Sequence, residues 1–393
     1  MMFPPPFAGV APRLAWLRVT LLAACFLTLL ASAPLWTNAR PYPTLPIAAG
    51  FPVPSQPWDL IAFAGVLACL LLSGWFYRAG VISFLLGSLF LALGDQSRWQ
   101  PWFYMYWTML ALSLAPDRTA SAACRFVVSA TYVWGGIQKL NPGFFQLVAP
   151  WFVKPAAAWL PPGGVAILQW AIASAPVLEI FIGVAIWFPR TRRLAALATL
   201  VVHFSALLFL GPLGHQHNWI IWPWNIVMPI LVLVLFPFHE TTEGWSALRL
   251  KPWAVTSVAL IWLLPVLSFF GRWDSYLSFS LYSGNLARAD LFISSAVRER
   301  LPPAVLPFVV PTPAPYNEEL QGPYVVLIEY WADKVLCVPA LPEPRSYRNV
   351  AAYVARLAAD PNDVRLVLIP RVGSTLFYRG GDLRPSAGVP LDF

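Results

Sequence analysis

Apolar positions in this chain come in long unbroken blocks, not in the alternation of a half-buried strand. The blocks fall near 14–33, 58–77, 79–95, 101–116, 122–139, 165–188, 193–211, 218–237 and 253–270. A helix needs about 20 mainly apolar residues to cross a bilayer. The pattern therefore predicts an all-α polytopic membrane bundle of about nine spans over residues 1–270. The blocks at 79–95 and 101–116 are the shortest, and a tilted or re-entrant path suits them as well as a full crossing. The first block, Leu14 to Leu30, ends in Ala31-Ser32-Ala33 and so imitates a signal-peptide cleavage site. Pro34 directly after that site, and the length of the apolar run, favour a retained first helix.

Beyond residue 270 the pattern changes. Leu301 to Pro315 is a proline-rich connection that a regular helix does not accommodate. Tyr324 to Trp331 predicts a strand, turned at Ala332-Asp333-Lys334 into a second strand, Val335 to Val338. Ser346 is placed to cap a short helix whose face holds Val350, Tyr353, Val354 and Leu357. Residues 364–369 and 375–378 read as further strands. Residues 271–393 are thus expected to form a small C-terminal α+β module.

Composition agrees with the pattern. Apolar residues make up 58% and charged residues 11%, with a mean hydropathy of +0.63; soluble domains hold roughly 45–50% and about 25%. An ordinary soluble enzyme and a disordered chain are both excluded. The net charge of +8 is uneven: residues 1–270 carry 14 Lys/Arg and 6 Asp/Glu, while 271–393 carry 12 of each. The excess sits in the apolar part, where it sets orientation and gives no reason to expect nucleic acid.

With a cytoplasmic N-terminus, the inward segments hold Arg13, Arg18, Arg78, Arg118, Arg125, Arg190, Arg192, Arg193, Arg249 and Lys251. The outward ones hold only Arg40, Arg98, Lys139, Lys154 and Arg272. This obeys the positive-inside rule and, with nine spans, places the C-terminal module on the non-cytoplasmic side of the cell (inner) membrane. The lipid bilayer is the first expected partner. Cys25, Cys69 and Cys124 lie in apolar runs and Cys337 in the tail, so no disulfide framework is implied.

Ionisable side chains at membrane depth are costly, so each is a functional candidate. Glu179 lies about nine residues from the cytoplasmic end of the sixth block, and His203 about ten residues into the seventh, each roughly 15 Å deep. The two are expected at matching depth, either as a buried polar pair pinning two helices or as a proton relay. Lys139 closes the fifth block after Gly135-Gly136-Ile137-Gln138. It either snorkels to the headgroups or, turned inward where the glycines allow close packing, serves as a base in an apolar cavity. Trp222-Pro223-Trp224-Asn225 puts an amide beside carbonyls freed by the proline. His215-Gln216-His217 lacks the third ligand that zinc requires, and His239 beside Glu240 reads as a surface residue. No metal site is expected.

Tyr132-Val-Trp-Gly-Gly136-Ile-Gln-Lys139-Leu140-Asn141, followed by Phe144, resembles the motif around the active-site lysine of the vitamin K-dependent γ-glutamyl carboxylases. The relatives of those enzymes include the bacterial horizontally transferred transmembrane (HTTM) proteins. Ala175-Pro-Val-Leu-Glu179, the turn Phe188-Pro189-Arg190-Thr191-Arg192 and the following His203 are similar to the family's next stretch. The resemblance runs with gaps from about Asp95 to Phe236. It implies a multi-span bundle with a mostly β non-cytoplasmic C-terminal part, and Lys139 as the base that deprotonates a reduced quinone or vitamin K-like hydroquinone. The family pattern of Asp, Trp and His falls on Asp95, Trp99 and Trp102. Tryptophan donates one hydrogen bond but shuttles no proton, which sets strict γ-glutamyl carboxylation apart from what the resemblance carries.

The sequence thus leads to a membrane-embedded enzyme acting on a lipid-soluble, quinol-like substrate. Its candidate catalytic residues are Lys139, Glu179 and His203, and its candidate substrate-binding residues are Gln138, Trp102 and Asn225. The alternative is a non-catalytic membrane subunit or carrier in a redox or transport assembly.

Overall fold

The computed structural model describes residues 10–48, 50–238, 251–313 and 322–383; His239, Glu240 and Arg249 lie outside the described residues. The chain divides into two compact units. One comprises residues 1–31, 65–87 and 100–285, and the other 32–64, 88–99 and 286–393. The first unit therefore runs past residue 270, and the second takes in two stretches that the sequence reading assigned to the bundle.

The helices are α1 (Pro12–Ala31), α2 (Trp58–Leu72), α3 (Tyr77–Gly94), α4 (Pro101–Leu112), α5 (Asp117–Lys139), α6 (Pro162–Ala173), α7 (Ala175–Ala185), α8 (Arg192–Leu210), α9 (Ile221–Leu235) and α10 (Pro252–Leu267). Among the described residues, four segments are long and apolar enough to cross a membrane: α1, α3, α8 and Pro252–Phe270. A fifth is gained if α6 and α7, bent by 40° at Ser174, count as one.

Nine crossings are not supported. A helix stands at each of the nine expected blocks, but several are too short. The 12 residues of α4 reach roughly 18 Å, against about 30 Å of hydrocarbon, and α2 and α9 have 15 residues each.

Helix α5 is long enough, at 23 residues, but less apolar, because its surroundings are protein. Nearly every residue from Thr119 to Gln138 is buried. Its hydroxyls and cations find partners inside the bundle: Ser129 donates to the Gly183 carbonyl (2.6 Å) and Arg125 to the Leu235 carbonyl (2.7 Å). Close approach to α7 depends on absent side chains. A Cβ on Gly136 would lie 2.4 Å from the Pro176 carbonyl oxygen, and one on Gly183 would lie 2.8 Å from that of Ser129. Small residues are what let helix backbones meet this closely.

The second unit carries a five-stranded antiparallel sheet ordered β2-β3-β1-β4-β5, from β1 (Arg288–Ile293), β2 (Val309–Pro311), β3 (Tyr324–Val326), β4 (Val364–Ile369) and β5 (Leu376–Arg379). Helices α11 (Ile328–Leu336) and α12 (Pro344–Leu357) pack against it. Strands β4 and β5 fall where the sequence put them, to within a residue.

The expected hairpin at 324–338 does not form, because only Tyr324–Val326 is a strand and the remainder is α11. Ile328, Trp331, Ala332 and Leu336 are the buried residues of that stretch, a helical spacing that outweighs its β-branched composition. Helix α12 begins after Glu343, so Ser346 lies buried in its first turn instead of capping it.

Polar groups in this unit are locked together. Asp95 pairs with Arg40 and accepts the amide hydrogens of Leu45 (3.2 Å) and Ser97 (3.0 Å). The fully buried Arg98 donates to the carbonyls of Leu35 (3.0 Å), Leu91 (2.6 Å) and Trp36 (3.0 Å).

Candidate functional site

One face of α5 carries Tyr132, Gly135 and Lys139, spaced by three and four residues and therefore aligned along the helix. They form part of the wall of a cavity of about 230 Å³ enclosed by α5 to α9, residues 144–152 and residues 279–282, all within the helical unit. An apolar cavity of about 150 Å³ already accepts a benzene ring. The wall is mostly apolar, with Phe144, Phe152, Leu168, Ile172, Met228 and Phe279 among its members. Ala171 of α6 and Val201 of α8 belong to it and also carry exposed surface.

Two polar clusters interrupt this apolar wall. In the first, the Lys139 ammonium nitrogen lies 2.8 Å from Glu179 Oε2 and 3.1 Å from the Gly135 carbonyl oxygen. Both side chains keep some accessibility, 14% and 13%. Gly135 is part of the geometry, since a Cβ there would stand 2.9 Å from Glu179 Oε2. The pair exists because α5 and α7 approach through glycine.

In the second cluster, His203 is held at both ring nitrogens. Its Nε2 is 2.7 Å from the Tyr132 hydroxyl, and its Nδ1 is 2.7 Å from Asn225 Oδ1. Asn225 in turn donates from Nδ2 to the Ile221 carbonyl (2.8 Å). The result is a hydrogen-bonded chain running from α9 through α8 to α5.

The structure sorts the sequence candidates. Lys139, Glu179, His203 and Asn225 all line the cavity. The matched-depth pairing of Glu179 with His203 is replaced by two other pairings, Glu179 with Lys139 and His203 with Tyr132 and Asn225. Depth along two helices says nothing about which way each side chain turns around its axis, and α5 supplies the nearer partner for both. Of the two orientations expected for Lys139, the structure has the inward one: it lines the cavity, where a carboxylate meets it.

Gln138 and Trp102 are not on the cavity wall. Gln138 is buried and donates to Ser268 Oγ (3.0 Å), and Trp102 is buried against Phe103. Tyr132 was missed as a functional residue, although its spacing from Lys139 along α5 was a usable signal.

The His215-Gln216-His217 segment lies in the loop between α8 and α9. His215 stacks on Trp151 at 4.0 Å and donates from Nε2 to the Trp151 carbonyl (2.7 Å). Burial holds the imidazole of His215 below its ordinary value, partly opposed by that hydrogen bond. Among the described residues, no three His, Cys, Asp or Glu side chains gather to hold a metal ion.

Comparison with known protein families, with curated proteins and with solved structures finds no match to this chain.

Proposed function

We propose that this chain is a multi-pass membrane protein that takes a lipid-soluble small molecule into the α5–α9 cavity and moves a proton at its polar head through Lys139 and Glu179. One observation carries the reading: an acid–base pair and a three-member hydrogen-bond chain share a largely apolar cavity large enough for a small molecule.

A net-neutral pair is tolerated in such a place in two proton arrangements, ammonium with carboxylate or amine with carboxylic acid. The second arrangement is the working one. The amine takes a proton from an acidic group on the substrate, and the resulting ammonium, steadied by the Gly135 carbonyl, sits beside the substrate anion it has created. The resemblance to the carboxylase and HTTM proteins makes a reduced quinone the first substrate class to try. Strict γ-glutamyl carboxylation is not part of the proposal. Trp102 stands where the family has a histidine, and its indole N–H has no partner and no place on the cavity wall.

The test uses purified full-length protein in lipid nanodiscs, supplied with reduced quinones, oxygen and carbon dioxide, beside Lys139→Ala. Quinol consumption at least tenfold faster in the wild type supports the proposal, and equal consumption overturns lysine-base catalysis. A second reading, a non-catalytic carrier or subunit, is favoured by one observation: Lys139 and Glu179 satisfy each other, so the cavity is able to hold a polar head without reacting. Quinol that binds the wild type but is never consumed would select that reading.

A further inference from the structure

We infer that Tyr132 reads the polar head of the bound molecule, and that the cavity selects a head that donates a hydrogen bond, a hydroxyl or an amine, over a carbonyl or ether of the same shape. The inference rests on the cavity-binding reading above and adds the polarity of the ligand to it.

Each hydrogen along the chain from α9 to α5 has one place to go. The Ile221 carbonyl only accepts, so Asn225 must turn its amide nitrogen toward it. That leaves Asn225 Oδ1, an acceptor, facing His203 Nδ1 at 2.7 Å, and the hydrogen on this contact belongs to Nδ1. A neutral imidazole carries one hydrogen, so Nε2 presents a lone pair, and the Tyr132 hydroxyl donates to it across 2.7 Å. Thr199 is a further hydrogen-bond neighbour of the Tyr132 hydroxyl; its own hydrogen is directed to the Ala195 carbonyl (2.9 Å), so toward the tyrosine it presents lone pairs.

The phenolic oxygen therefore has its hydrogen committed and only acceptor capacity left, on a residue that forms part of the cavity wall. A ligand hydroxyl satisfies it. A ligand carbonyl or ether puts lone pairs against lone pairs and loses the bond.

The experiment measures binding of a 4-alkylphenol and of its methyl ether to full-length protein in nanodiscs. The wild type is expected to bind the phenol about three- to tenfold more tightly, the worth of one hydrogen bond. Tyr132→Phe is expected to bind both equally. Asn225→Leu keeps the tyrosine but releases the ring hydrogen to Nε2, which then donates to Tyr132. The tyrosine hydroxyl is freed for acceptors, and the preference shrinks or reverses. Thermal unfolding checks that each variant is folded, and the preference in Asn225→Leu decides the matter should Tyr132→Phe fail that check. A wild type that binds phenol and ether alike overturns the inference and leaves the cavity reading standing, as does a preference unchanged in both variants. A wild type that binds neither overturns both.

Discussion

Two ion pairs among the described residues, one in each unit, are built differently. In the sheet unit, Asp95 has no exposed side-chain surface, and both its oxygens are committed, to Arg40 and to two backbone amides. Its neighbour Arg98 spends its donors on carbonyls, and burial holds the guanidinium down at about 10, which still leaves it charged at neutral pH. In the helical unit, Lys139 and Glu179 meet through one contact, keep partial accessibility and face a cavity. A pair whose acceptors are committed clamps a fold. A pair with spare capacity beside an open cavity has somewhere to send a proton. Charge is alike in the two; the difference lies in burial and in what else the groups bond to.

The largest expected effect attacks the clamp. Asp95→Ala strands the buried Arg40 and is predicted to cost on the order of 3–5 kcal/mol, read as loss of the sheet unit's cooperative unfolding transition in denaturant. A smaller loss, near that of an exposed pair, would place the two ion pairs in one class after all. Next comes the helix contact that creates the second pair. Gly136→Ala pushes a methyl group into the Pro176 carbonyl and is predicted to destabilise by roughly 1–3 kcal/mol while weakening ligand binding. Unchanged binding would mean that close α5–α7 packing does not set the site.

Sharper still is a double-mutant cycle on the pair itself. Lys139→Ala and Glu179→Ala are expected to be non-additive, with a coupling of about 0.5–3 kcal/mol. Glu179→Ala with His203→Ala is expected to couple less, because the two share no hydrogen bond. The reverse order would restore the pairing that helix depth alone suggested.

The smallest effect is a pH dependence at the α8–α9 loop. Burial lowers His215 from its ordinary value of 6.5, so the folded loop binds its proton less readily than the unfolded chain does. The stabilisation is complete above about 6.5 and is lost as pH falls through that value toward the lower folded one. His217 and Lys154 nearby act in the same direction. Fluorescence of Trp151, stacked on His215, is expected to change on acidification below about 6.5. The change should disappear in His215→Phe; a change that persists there would assign it to another group.

Much of this was legible in the sequence, for physical reasons that also mark its limits. Apolar blocks located the long helices of the bundle, and the cost of charge at depth singled out Lys139, Glu179 and His203. Asn225 stood out as an amide beside a proline. The partners of these residues were not legible, because helix periodicity gives each side chain a height and a face but not which neighbouring helix that face meets. Gly136 and Gly183 decide that for α5 and α7, and only Gly136 stood beside a candidate residue. Tyr132 was hidden by being an ordinary aromatic residue in an apolar helix.

The span count went too high because α2, α4 and α9 have the composition of a membrane helix without its length, and α5 has the length without the composition. In the tail, Tyr324 to Trp331 has a strand's composition, but from Ile328 onward the buried residues follow a helix's spacing, and the spacing decided the outcome. Strand β1, interrupted by Asp290, gave no clean alternation to find.

The central claim, that the cavity in the helical unit is a binding site for a membrane-dissolved molecule, is tested most directly by photolabelling. An alkylphenol carrying a diazirine is photolysed with the full-length protein in nanodiscs, and the modified residues are located by peptide mass spectrometry. The account predicts adducts on Met228 and Phe279, wall residues that are 0% and 3% exposed and reachable from the cavity, and predicts that excess unlabelled alkylphenol suppresses them. Adducts confined to outward-facing residues such as Ile167 and Trp170, and indifferent to competitor, would contradict it.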